Sequence, residues 1–284
     1  MAITFRDGIS IAELIFYLPS LAISVFLGVR HGFGRSAGWY YLIFLALVRI
    51  VGSAFQLATI ADPTDSTLYT GTFILQSISI SPLELASFAL ISKVLTAMQA
   101  DGTAPVTPRV PRLAQLLVTA GLALGVVGGI NSINGEPSDS GAPAGSATTN
   151  TLSKVSVALY IIAFLALLYL LFVTWSRSSS GSSTSDRRIL LAIAAASPFL
   201  LVRIVYSALS SFTTNKTFNM ISGNEIVLLC MCVIEEWVVV VLYAGVGMTL
   251  TKDEHRHAPI GYNPGVDLDD ESAQYQYMKS HGQR

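Results

Sequence analysis

The amino-acid sequence predicts an all-α protein, a bundle of seven transmembrane helices, and three observations carry that expectation. Fifty-two per cent of the 284 residues are apolar and only 12% are charged, against about 25% charged in soluble domains. Seven apolar stretches reach the roughly 20 residues that a spanning helix needs: about 9–29, 39–60, 71–98, 113–133, 152–175, 189–212 and 224–248. The segments between them are short and rich in turn formers, for example "NGEPSDSGAPAGSATTN" at 134–150 and "SRSSSGSSTSDRR" at 176–188, and read as loops.

Taken in order, the first stretch is too long, and its flanks too weakly basic, for a cleaved signal peptide, so it reads as a signal-anchor helix that stays in the membrane. It carries Pro19 and, near one membrane edge, Glu13. The second contains "LVRIVGSA" with Arg49 at its centre, and the third contains Pro82 and Glu84, with Lys93 near an edge. Glu13 and Lys93 are expected to snorkel to the interface. The fourth and fifth qualify by length and apolar content. The sixth contains Pro198 and "LVRIVYSA" with Arg203, and the seventh holds Cys230, Cys232, Glu235 and Glu236. Prolines within spans predict kinks whose freed carbonyls are satisfied inside the bundle. The two cysteines, two residues apart, point to different sides of a helix and read as packing residues. A transmembrane domain over 1–250 is thus followed by a polar tail, 251–284, containing "KDEHRHAPIGYNPGVDLDDES", whose composition predicts disorder.

Basic residues alternate between the loops. Loops one, three and five and the tail carry Arg30 and Arg35, Arg109 and Arg112, Arg177, Arg187 and Arg188, and Lys252 and Arg256. Loops two and four carry none, loop six only Lys216, and the N-terminal stub only Arg6. Positive loops stay cytoplasmic, so the N-terminus is expected outside and the C-terminus in the cytoplasm. "NKT" at Asn215 is then a glycosylation sequon on the lumenal side.

The second and sixth stretches share seven of eight residues across "LVRIVGSA" and "LVRIVYSA". Arg49, Ser53 and Gln56 share one helix face, as do Arg203, Ser207 and Ser210. Glu84 follows Arg49 at about the distance at which Glu235 and Glu236 follow Arg203. These matches predict a 3+1+3 arrangement in which helices 1–3 and 5–7 are parallel repeats.

Counted from the loops, Arg49, Glu84, Arg203, Glu235 and Glu236 all fall near mid-membrane. A central charge costs roughly 2.5–3.5 kcal/mol on insertion scales, so such groups turn inward and find partners. The expected interior is a polar seam of two arginines against three acids, lined by Ser53, Ser81 and Ser207, with Gln56 on the same face as Arg49. Two readings stay open: the arginines are interhelical staples, or the seam binds a polar ligand or a proton. The odd acid left after two pairings argues for the second. Glu236 and Glu84 are favoured for that role over Glu235, because their faces carry further polar residues.

Other function classes find no support in the residues. No basic cluster interleaved with aromatics tracks a nucleic acid. His31, His255, His257 and His281 all lie outside the spans, which argues against haem or zinc held between helices. No phosphate loop or nucleophile elbow is present. The expectation is no enzyme, no catalytic residues, no metal and no cofactor.

"ISIAELIFYLPSLAISVFLGVRHGFGRSAGWYYLIFLALVRIVGSAFQLAT", Ile9 to Thr59, resembles the start of an uncharacterised family of filamentous-fungal seven-helix membrane proteins. The most specific parts are "AELIFYLP", the "GFGRSAGW" loop and the arginine of helix two. The resemblance implies fold and origin but no activity. More loosely, size and seam are similar to fungal lipid-translocating exporter-like proteins and to receptor-like seven-helix proteins. The expected role is a small-molecule or lipid-handling, transporter-like protein of the plasma membrane or an endomembrane. Its expected partners are membrane lipids and an unidentified small-molecule or lipid ligand. The alternatives are a sensor signalling through loop five and the tail, and a non-catalytic structural membrane protein.

Overall fold

The computed structural model describes residues 4–31, 38–62, 66–100, 102, 104–107, 109–133, 151–178, 184–212, 226 and 229–250. Asn215, the 134–150 loop, the middle of loop five and the 251–284 tail lie outside them. The described residues fall in one compact unit, Met1–Thr251. They form α1 (Phe5–His31), α2 (Trp39–Ala61), α3 (Ser66–Ile78), α4 (Ile80–Ala100), α5 (Arg109–Ile133), α6 (Thr151–Arg177) and α7 (Thr184–Phe212). A π-helical turn, Leu229–Val233, then leads into α8 (Ile234–Thr249). With α3 and α4 counted together, and the π turn counted with α8, seven spans among the described residues are long and apolar enough to cross a membrane.

The helices depart from the expected spans at several points, and two of these departures have a local reason. The first span begins at Phe5 rather than Ile9 because Thr4 and Asp7 cap it reciprocally. Asp7 N–H donates to Thr4 Oγ1 at 3.3 Å, while Thr4 N–H and Oγ1 donate to Asp7 Oδ2 at 2.9 and 2.6 Å, a capping box that closes the first turn. Thr4→Ala is expected to fray that turn and cost about 0.5–2 kcal/mol, read as a lower melting temperature in detergent.

The third span, expected over 71–98 with a kink at Pro82, is interrupted at Ser79. Pro82 has no N–H to offer the carbonyl of Ile78, and Ser81 Oγ donates to that carbonyl instead, at 2.9 Å.

The centre of the bundle is α4, packed against α2, α5, α6 and α7. Every residue from Ser79 to Ser92 is buried, so α4 is covered on all faces while the outer helices need only one covered stripe. Their other faces carry exposed Phe26, Val29, Leu116, Leu165 and Phe172, the lipid-facing side of a membrane bundle.

Small residues set a close approach between α5 and α6. A Cβ built at Gly125 would lie 2.8 Å from Ser156 Oγ, and one at Gly128 2.6 Å from Ser153 Oγ. Ser156 Oγ donates to Gly121 O at 2.6 Å. Helices in lipid gain little from hiding apolar surface against each other, so this backbone proximity is what joins them. At the end of α8, a Cβ at Gly247 would fall into the Trp39 ring. Around it, Arg30 and Arg188 donate to the carbonyls of Met248 and Thr249 at 3.5 and 3.4 Å, and His31 Nε2 lies 3.1 Å from Gly247 O, placing basic groups at a helix C-terminus.

Candidate functional site

The polar centre of the bundle is built from five elements. Glu13 and Tyr17 lie four apart on α1, and Arg49 and Ser53 four apart on α2, so each pair shares a face where α1 packs on α2. Glu236 enters from the first turn of α8, Arg203 from α7, and Ser79 from the break between α3 and α4.

Arg49 uses all three guanidinium nitrogens. Nε donates to Glu236 Oε1 at 2.6 Å and Nη2 to Glu236 Oε2, a two-point fork. Nη1 donates to Glu13 Oε1 at 3.0 Å, and Nη2 also reaches Ser79 Oγ at 3.2 Å. Ser53 Oγ completes Glu13 through Oε2 at 2.7 Å, and Tyr17 OH donates to Glu236 Oε1 at 2.5 Å. One arginine therefore clasps two carboxylates from α1 and α8, and every carboxylate oxygen in the clasp is bonded.

Arg203 is placed differently, despite standing in the same sequence words. Its Nη2 donates to Ser79 Oγ at 2.7 Å and to Gln76 O at 3.2 Å, the carbonyl freed where α3 ends. Ser79 Oγ in turn donates to Gln76 O at 3.1 Å. This hydroxyl accepts from both arginines and gives its one proton, which fills its capacity. Arg203 is buried, yet its Nε and Nη1 have no hydrogen-bond partner, and no carboxylate among the described residues pairs with it. Glu235 lies half-buried within its electrostatic reach, with Oε2 also unpartnered.

Of the other residues singled out in the sequence, Gln56 donates to Asp7 Oδ1 at 3.2 Å, toward the start of α1. Ser207 is half-buried on α7 and adds no bond to the centre among the described residues. Ser81 serves the backbone at the helix break, and Glu84 stands apart with both oxygens unpartnered. The snorkelling expected of Glu13 is corrected: it is buried in the clasp. The capped start of α1 carries the helix beyond its apolar run, which puts Glu13 eight residues, or ~12 Å, inside it.

Sequence reasoning also missed Ser79 and Tyr17. Ser79 is the middle serine of "SISIS", with nothing to single it out. Tyr17 follows Glu13 by four residues, and that spacing was the available signal once Glu13 was placed inside. Among the described residues, no group of three or more His, Cys, Asp or Glu side chains is arranged to hold a metal.

Fold and site together define an all-helical, multi-pass membrane protein with a buried arginine–glutamate centre at an interrupted helix. The chain belongs to the family described as Domain of unknown function (DUF7702), whose profile matches residues 3–253. No curated protein and no solved structure matches it.

Proposed function

We propose that the protein binds a small anion or an anionic lipid headgroup at Arg203 and handles it in transporter-like fashion. The observation that carries this reading is the position of Arg203, a buried guanidinium with two nitrogens, Nε and Nη1, unpartnered among the described residues, at an interruption in a spanning helix. Interrupted helices place half-helix ends and free backbone groups at mid-membrane, the arrangement from which transporter sites are built. A second departure from α-helix, the π turn at Leu229–Val233, immediately precedes Glu235 and Glu236, and such turns concentrate at functional sites. In this reading the Arg49 clasp is structural and Arg203 is the ligand residue. A lipid phosphate and a free anion are the two sources that the test distinguishes.

The test is melting of the detergent-solubilised full chain against inorganic phosphate, acetate and phosphatidic acid in mixed micelles. A ligand at 100 times its dissociation constant stabilises by about 2.7 kcal/mol. The expected result is a saturable rise for at least one of the three, absent in Arg203→Gln. Phosphatidic acid acting alone identifies a lipid, and phosphate acting alone a free anion. No rise with any anion overturns the proposal. Uptake of the stabilising anion into proteoliposomes then separates transport from sensing, since a sensor binds without moving its ligand.

A further inference from the structure

Glu84 is the buried acid that the Arg49–Arg203 centre does not use. It lies in the second turn of α4, fully buried, with Oε1 and Oε2 both lacking a hydrogen-bond donor among the described residues. The charged groups of the helices packed on α4 can each be placed, and Lys154 and Arg177 of α6 and Asp186, Arg187 and Arg188 of α7 lie at the ends of their helices. Arg49 of α2 and Arg203 of α7 both converge on Ser79, and neither donates to Glu84. The arginines of α5, Arg109 and Arg112, are exposed at its start. No charged residue occurs in α3. Tyr160 of α6 is the titratable neighbour within electrostatic reach of Glu84. Tyr243 of α8 is bonded to Ser87 at 2.6 Å, and Lys93 lies further along α4, half-buried.

A carboxylate held this way meets neither a cation nor a donor, the costliest form an acid can take in a membrane bundle. A carboxylic acid in the same place is a compact polar group carrying one proton. A proton is also the one ligand that needs no cavity. We propose that Glu84 is an intramembrane proton-binding site, separate from the arginine centre, that takes up and releases a proton. The site does not depend on whether Arg203 holds an anion. Its position next to the Ser79 break means that a movement opening the break also changes the surroundings of Glu84.

The test uses the full chain in detergent and compares infrared spectra of wild type and Glu84→Gln as pH is raised. The expected result is a carboxylic-acid carbonyl band at neutral pH that Glu84→Gln removes, that shifts on transfer to heavy water, and that gives way to a carboxylate band in alkaline buffer. Dicyclohexylcarbodiimide supplies a second readout. The acid proton passes to a carbodiimide nitrogen and the carboxyl oxygen bonds to the central carbon. The adduct then rearranges to an N-acylurea, with no atom lost. Mass spectrometry is expected to find this label on Glu84 and not on Glu13 or Glu236, and to find it lost in Glu84→Gln, whose melting temperature stays that of wild type. Glu84→Asp is expected to keep the acid band. A carboxylate band at every pH, or an acid band that never exchanges in heavy water, overturns the proposal.

Discussion

Arg49→Ala is expected to be among the most damaging single substitutions in this chain, costing about 3–5 kcal/mol and lowering the melting temperature in detergent more than any change at Arg203. The reason lies in what it leaves behind. Removing the guanidinium strips Glu236 of two donors and Glu13 of one, and leaves two buried acids facing each other between α1, α2 and α8. Ser53 and Tyr17 each supply one further bond, too few to satisfy two carboxylates. Arg49→Lys keeps the charge but not the fork, so it is expected to recover only part of the loss. Glu236→Gln, which leaves Arg49 paired with Glu13, is expected to be milder than Arg49→Ala. Arg203→Gln removes bonds to a hydroxyl and a carbonyl and strands no carboxylate, so it is expected to be nearly silent in the melt while abolishing anion binding. Equal losses at the two arginines would make both of them staples and remove the support for a ligand at Arg203.

That contrast bears on what the sequence could reveal. "LVRIV" placed both arginines inside the bundle, because an arginine in an apolar run has nowhere else to go. It could not say that one would meet two carboxylates and the other none. The difference arises on other helices: Glu13 faces Arg49 only because α1 starts early and packs along α2, and Ser79 joins the two arginines only because the third span is interrupted there. Spans were legible because twenty apolar residues in a row have one interpretation. Pairing was not, because it depends on the relative depth and rotation of helices far apart in the chain. The capping box at Thr4 and Asp7 was within reach of local reading, but it precedes the apolar run that drew attention to the first helix.

Gly125→Leu is the second large effect expected, and it tests how the bundle holds together away from its charges. The α5–α6 contact has no buried ion pair to anchor it among the described residues; it depends on the absence of side chains at Gly121, Gly125 and Gly128. A leucine at 125 must occupy the space of Ser156, whose Oγ is already committed to Gly121 O, so the helices separate or the serine loses its bond. Overpacking of this kind costs about 1–3 kcal/mol, and lipid offers no compensating gain from hiding apolar surface. Gly125→Ala is the subtler variant, because a helix-propensity gain of about 1 kcal/mol opposes a Cβ placed 2.8 Å from Ser156 Oγ. Combining it with Ser156→Ala removes the clash together with the bond. The melting temperatures of wild type, both single variants and the double then form a cycle whose coupling is expected to be positive, the double melting higher than the sum of the singles predicts. Additive losses would mean that Gly125 and Ser156 do not meet, and that α5 is held against α6 by something other than this seam.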